Sequence, residues 1–200
     1  AIRTDNGAPF STLAAGGLSR LAVWWIRLGI RPERIMPGRP DQNGRHERMH
    51  GTLKADTARP PRSSFRAQQS AFDKFRDEYN QIRPHEALGQ KVPADLFTRS
   101  HREYPSRIPE PEYPDHFYIT RAYPNGIISF GGIQWYVSPV LAGECVGLEP
   151  LPENRWKFFF GPIPLGIADL QNIRKRRYRN FGRLVPTEQD GAGWHKTERK

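Results

Sequence analysis

Four prolines in a stretch of seventeen residues constrain this chain more than any other feature. In "SHREYPSRIPEPEYPDH" (100–116), Pro105, Pro109, Pro111 and Pro114 lack an amide proton and hold φ at about −65°, so neither a helix interior nor a central strand can pass through. The stretch reads as a semi-rigid extended linker. The hydrophobic pattern changes across it, from helical spacing before to short β-type runs after. A chain of 200 residues has length enough for one good domain or two small ones.

Before the linker, "IRTDNGAPF" reads as the end of a short strand stopped by the Asn6-Gly7 turn. "GLSRLAVWWIRLGI" places Leu18, Leu21, Ala22, Trp25 and Leu28 on one helical stripe, with Gly29 as a C-terminal stop. Val23, Trp24 and Ile26 make this helix apolar nearly all round, so both tryptophans are expected in the core. "PGRPDQNG" (37–44) is a loop by composition, and helices over 44–57 and 64–83 come next. The second carries Phe65, Phe72, Phe75, Tyr79 and Ile82 on one face and is stopped by Pro84.

After the linker come "FYITRA", "GIISF", "IQWYVS", "VGLEPL", "RWKFFF" and "IPLGIA", separated by Asn125-Gly126, Gly131-Gly132 and Glu153-Asn154 turns. Six short strands in about fifty residues suggest a small closed or nearly closed barrel. The single cysteine, Cys145, excludes an internal disulfide and a multi-cysteine zinc site, and reads as a small buried residue. The C-terminal tail opens with "IRKRRYRNFGR", a dense basic run with Tyr178 and Phe181 interleaved. A net charge of +10 favours a polyanionic partner, nucleic acid first. No apolar run reaches membrane-spanning length, and no membrane partner is expected.

Within the helix over 44–57, His46-Glu47-Arg48-Met49-His50 spells the H-E-x-x-H signature of zinc peptidases. Its surroundings argue otherwise. Arg45, Arg48 and Lys54 crowd the two histidines, and a third ligand is needed. Glu78 is available in principle, but it lies among ordinary solvated charges. The zinc metallopeptidase is kept as a distant third reading.

The same helix supports a different chemistry. Glu47, Gly51 and Lys54 share one face at i, i+4 and i+7, while Met49 and Leu53 share another. A carboxylate beside a lysine, with a glycine leaving room, suits a metal-bound phosphodiester and a phosphate contact one turn away. Asp5, at the end of the first strand, adds a second hard oxygen ligand of the kind that holds Mg²⁺ or Mn²⁺ in phosphoryl transfer.

Several spaced motifs then agree in order. "TDNGAPF", an amphipathic helix, "LGI" and "PGRPDQNGRHERMHGTLK" resemble the second half of the catalytic core of DDE transposases and retroviral-type integrases. "EYNQIRPHEALGQKVPADLF" (78–97) resembles the stretch that closes this core in bacterial insertion-sequence transposases. The resemblance implies a partial RNase H-like α/β fold over 1–99, the linker 100–116, a small SH3-like β-barrel that grips DNA over 117–172, and a basic tail 173–200. It makes Asp5 and Glu47 catalytic and metal-binding, with two Mg²⁺ or Mn²⁺ ions in the complete site, and the H-E-x-x-H match coincidental.

The resemblance further implies an enzyme of DNA integration and transposition that cuts and joins strands, bacterial and cytoplasmic at the nucleoid. Its partners would be double-stranded DNA, both element ends and target, and further copies of itself on that DNA. Arg39, Gln42, Asn43, Arg45, Arg48, Lys54, Arg174, Lys175, Arg176, Arg177 and Arg179 are candidates for DNA binding. His85 is read first as a packing or capping residue. The family's first catalytic aspartate lies upstream of the second, and nothing in this sequence precedes Ala1. A chain truncated at its N-terminus, and inactive alone, is therefore expected. The alternative is a non-catalytic DNA-binding remnant of a decayed transposase.

Overall fold

The structure, a computed structural model, describes residues 1–186 apart from Leu13, Pro37, Asn172, Ile173, Arg177 and Tyr178. For Pro40, Arg174–Arg176, Arg179 and Asn180 it describes the backbone alone. The chain divides into two compact units, 1–40 together with 105–200, and 41–104.

In the first unit β1 (Ile2–Thr4) and β2 (Pro32–Arg34) pair in parallel, Ile2 opposite Pro32 and Thr4 opposite Arg34. A parallel pair needs a crossover, and α1 (Arg20–Arg27) supplies it. Ser19 starts the helix by accepting the Ala22 amide on its Oγ at 3.1 Å. Gly29 ends it, with φ at 69° in the left-handed region that a side chain disfavours. Ala22, Val23, Trp25 and Ile26 are buried, but Trp24 is 40% exposed. One residue is ~100° of helical rotation, so the adjacent indoles cannot face the same way, and only Trp25 enters the core.

Each of the six β-type runs forms a strand: β3 (Tyr118–Arg121), β4 (Ile127–Phe130), β5 (Ile133–Tyr136), β6 (Cys145–Leu151), β7 (Arg155–Phe160) and β8 (Ile163–Asp169). The turn joining β6 to β7 puts Glu153 and Asn154 at φ of 61° and 57°, the left-handed pair a tight hairpin requires. The basic run contributes two more strands, β9 (Arg174–Arg176) and β10 (Arg179–Gly182). Among the described residues the ladders do not close into one barrel. They form two four-stranded sheets, β3-β6-β7-β8 and β4-β5-β10-β9, and an isolated bridge from Ile167 to Val185 ties β8 to the chain after β10. The start of the expected tail is thus built into a sheet, with β10 parallel to β5. Gly182 makes this possible, because a Cβ there would overlap the Trp135 ring.

Ile128, Trp135, Leu141, Val146, Leu148, Phe158 and Phe160 are all at or near full burial. Each large side chain contributes roughly 1.5–3 kcal/mol on leaving water. Leu18, Ala22, Val23 and Ile26, from α1 and its approach, belong to the same cluster. The helix that comes after β1 therefore finds its apolar partner in the β-sheets beyond the prolines.

The proline-rich stretch takes the extended course its sequence requires, and its second half is bonded to the unit it enters. Arg27 donates to the carbonyls of Ile108 and Pro109 at 2.9 and 3.0 Å and pairs with Glu144 at 3.2 Å. Arg121 pairs with Glu110 at 2.7 Å. That guanidinium, with the Cys145 thiol donating to the second carboxylate oxygen at 3.1 Å, holds Glu110 below the usual carboxylate range. Burial, and then the same carboxylate, push the Cys145 thiol up, so it is a packing group and not a nucleophile. The Tyr113 hydroxyl accepts from the Gly161 amide at 3.0 Å and donates to the Cys145 carbonyl at 2.9 Å, with the Phe159 carbonyl at 3.3 Å. Burial pushes its pKa up to about 12.

The second unit holds α2 (Gly44–Thr57), α3 (Phe65–Gln81) and the short α4 (Pro93–Leu96). Ser64 caps α3 by accepting from the Ala67 amide at 3.2 Å. Gln68 joins the helices by donating to the Thr57 carbonyl at 2.9 Å. Met49 and Leu53 of α2 line a groove with Phe72, Phe75 and Tyr79 of α3. The end members of the expected apolar face, Phe65 and Ile82, are 87% and 69% exposed. No residue of α3 is fully buried, whereas Thr57 at the end of α2 is.

Candidate active site

Asp5 sits just past the end of β1 and is exposed. Its Oδ1 accepts the Gly7 amide at 3.0 Å, and the neighbouring Asn6 amide nitrogen donates to the Ile35 carbonyl at 3.0 Å beside β2. The turn that stops the strand therefore also fixes the carboxylate, and Oδ2 is left for another partner.

Glu47 lies in the first turn of α2 and is exposed. Among the described residues its carboxylate has no hydrogen-bond or ion-pair partner. Gly51 has open space where a Cβ would stand, and Lys54 is exposed one turn on. The face read from the sequence is thus an open strip: carboxylate, gap, ammonium. Asp5 belongs to the first unit and Glu47 to the second.

The His46 and His50 rings lie against each other, centroids 4.1 Å apart. Among the described residues no group of three or more His, Cys, Asp and Glu side chains could hold a metal ion. A peptidase zinc site needs three protein ligands, so the H-E-x-x-H spacing is unsupported by a third.

The DNA-binding candidates separate by position. Arg39 precedes the second unit, and Gln42 and Asn43 form the turn that leads into α2. Lys54 shares the Glu47 strip, whereas Arg45 and Arg48 point to another face. They line a cavity of about 390 Å³ together with Thr52 and residues from the α3–α4 connection, Arg83 and His85 among them. Arg174, Lys175 and Arg176 lie in β9 and Arg179 in β10, while Arg177 lies outside the described residues. His85 packs edge-on against Tyr79 at 4.5 Å, with Nε2 3.2 Å from the Tyr79 carbonyl. Arg83 and Thr52 were not singled out by sequence reasoning. The 45, 48, 52 spacing carried the signal for Thr52, and Arg83 lay inside the 78–97 stretch whose resemblance was noted without being assigned a role.

Residues 28–93 match a family model described as an integrase core domain. Over 97 residues the chain is 33% identical to the "Insertion element IS476 uncharacterized 39.2 kDa protein" of Xanthomonas euvesicatoria. Both matches support a member of the transposase/integrase family. The aligned part is 48% of this chain and 26% of that relative, so the chain spans about a quarter of the length of the relative it matches. The integrase-core segment takes in Glu47, all of α2 and α3, and every residue named at the arginine-lined cavity; Asp5 precedes it. No helix among the described residues is long and apolar enough to cross a membrane.

Proposed function

We propose that this chain is part of an enzyme that cuts and joins DNA strands by metal-dependent phosphoryl transfer. The observation that carries the reading is the open Glu47–Gly51–Lys54 strip of α2, unpartnered and inside the integrase-core segment. Asp5 and Glu47 are hard oxygen donors with lone pairs unspent, which fits Mg²⁺ or Mn²⁺ and not a soft-ligand metal. They would hold two such ions together with a further carboxylate, and the bound cations supply Lewis-acid activation of the attacking oxygen and of the leaving group. Lys54 orients a backbone phosphate two turns along α2 from Glu47, and the Gly7 amide keeps Asp5 aimed by its hydrogen bond.

Duplex DNA is the partner, and further copies of the chain assemble on it because two ends are joined. The β-rich part over 117–172 is read as an SH3-like DNA-gripping module, and 1–99 as the part descended from the RNase H-like core. A bacterial cytoplasmic, nucleoid-associated setting belongs to the same reading. The runner-up is a DNA-binding remnant without catalysis. It is favoured by one observation: no group of three possible metal ligands occurs among the described residues.

The deciding experiment is joining of a labelled oligonucleotide to plasmid DNA in Mg²⁺ or Mn²⁺, by this chain and by the full product of its reading frame. Joining that is lost in Glu47→Gln and kept in His46→Ala establishes the enzyme. Joining that survives Glu47→Gln overturns the assignment, and DNA binding without joining by either product favours the remnant.

A further inference from the structure

On α2, Arg45, Arg48 and Thr52 are spaced i, i+3 and i+7, which at ~100° per residue places them within about 60° of one another. By the same arithmetic this face is turned roughly 120° from the Glu47–Gly51–Lys54 strip, so one phosphate cannot touch both. Across the cavity of about 390 Å³ stand Arg83, His85 and Glu86, from the stretch between α3 and α4. The volume suits a small organic group.

The pocket gathers three guanidiniums against one carboxylate, Glu86. Some arginines elsewhere are matched, Arg27 with Glu144, Arg76 with Asp73 and Asp77, Arg121 with Glu110, while among the described residues others such as Arg20 and Arg66 stand singly at the surface. Among the described residues, Arg45, Arg48 and Arg83 have no carboxylate within ion-pair distance. Like charges held together without counter-charge lose energy that an anion would restore. The scaffold around them is fixed. Arg48 Nε donates to the Gly44 carbonyl at 3.4 Å, and the Thr52 hydroxyl donates to the Arg48 carbonyl at 3.1 Å. The His85 ring is held by Tyr79, its Nε2–H donating to the Tyr79 carbonyl at 3.2 Å.

The remaining wall selects among anions. Leu88 and Pro93 add apolar surface that an inorganic ion does not need and that a deoxyribose or base edge can cover. Glu86 weakens attraction for compact polyanions more than for a singly charged diester. We propose that this pocket seats one nucleotide of a DNA strand, its backbone phosphate on Arg45, Arg48 and Arg83 and its sugar against Leu88 and Pro93. The proposal rests on the DNA reading above and assigns a second contact point, separate from the phosphate that reacts at Glu47.

The test is fluorescence anisotropy of a labelled duplex bound by the full chain over a range of salt concentrations. Each phosphate contact contributes a slope of about −0.9 in log K against log salt, so Arg48→Ala with Arg83→Ala should flatten the slope by roughly one unit or more. Affinity at fixed salt should fall at least tenfold, and Arg48→Lys with Arg83→Lys should recover most of the slope. Arg76→Ala, whose guanidinium is already paired, serves as the surface-charge control, and circular dichroism checks the fold. A slope unchanged in the double variant of a chain that binds DNA overturns the pocket and leaves the DNA reading standing. Absence of DNA binding by the unsubstituted chain removes both. Separately, the dinucleotide pTpT should shift the His85 ring NMR signals at concentrations where inorganic phosphate does not. Equal shifts from both overturn the nucleotide assignment.

Discussion

Removing one oxygen atom tests how the proline-rich stretch is held. The Tyr113 hydroxyl serves the Gly161 amide and the Cys145 carbonyl, and its ring covers Gly147 so closely that a Cβ there would overlap it. Tyr113→Phe keeps the ring and deletes only the hydroxyl. The Gly161 N–H then loses its acceptor and the Cys145 carbonyl a donor. At roughly 1–3 kcal/mol for a buried group left unsatisfied, with water reaching part of the site, the expected loss is about 2–3 kcal/mol. For a chain of this size that lowers the melting temperature by roughly 5–10 °C. Guanidinium unfolding followed by tryptophan fluorescence is the assay, because every tryptophan of the chain falls in 1–40 or 105–200 and the signal reports that unit alone. Tyr113→Ala, which also uncovers Gly147, should cost more. A loss below about 0.5 kcal/mol for Tyr113→Phe would refute the reasoning and make the stretch a loosely laid tether.

Three further outcomes are expected. Burial holds the Tyr113 proton in the folded chain up to a pKa of about 12, whereas the unfolded phenol loses it near 10. Stability should therefore be unaffected by this group below pH 10 and fall between pH 10 and 12 by on the order of 2 kcal/mol, a drop that Tyr113→Phe lacks when both are titrated by chemical denaturation. Zinc should not bind stoichiometrically at His46 and His50; one tight zinc per chain by elemental analysis after dialysis, lost in His46→Ala, would revive the peptidase. Lys175→Gln with Arg179→Gln should flatten the salt dependence of DNA binding by about two units while leaving the circular dichroism intact, and an unchanged slope takes β9 and β10 off the DNA surface. Substitution is the right perturbation here, since truncation at 174 would strip two strands from a sheet.

The sequence by itself determined what local chemistry determines. The 37–44 loop and the helix read over 44–57 gave α2 its limits, Gly44–Thr57, and with them the strip that Glu47 shares with Gly51 and Lys54. Alternation and Gly/Asn turns marked all six strands from β3 to β8, because each is a short-range pattern of side-chain direction and backbone freedom. Tertiary structure decided everything that depends on which apolar face meets which. A helix apolar nearly all round carries no directional information, so only packing could seat α1 against the β-sheets, take Trp25 inside and leave Trp24 out. The basic run read as a DNA-binding tail, and only tertiary structure shows that Gly182 lets β10 lie against Trp135. Arg27 is 81 residues from Ile108, and Arg48 and Arg83 line one cavity across a connection that no periodicity spans. Such contacts depend on how the chain returns upon itself, which a linear pattern does not encode residue by residue.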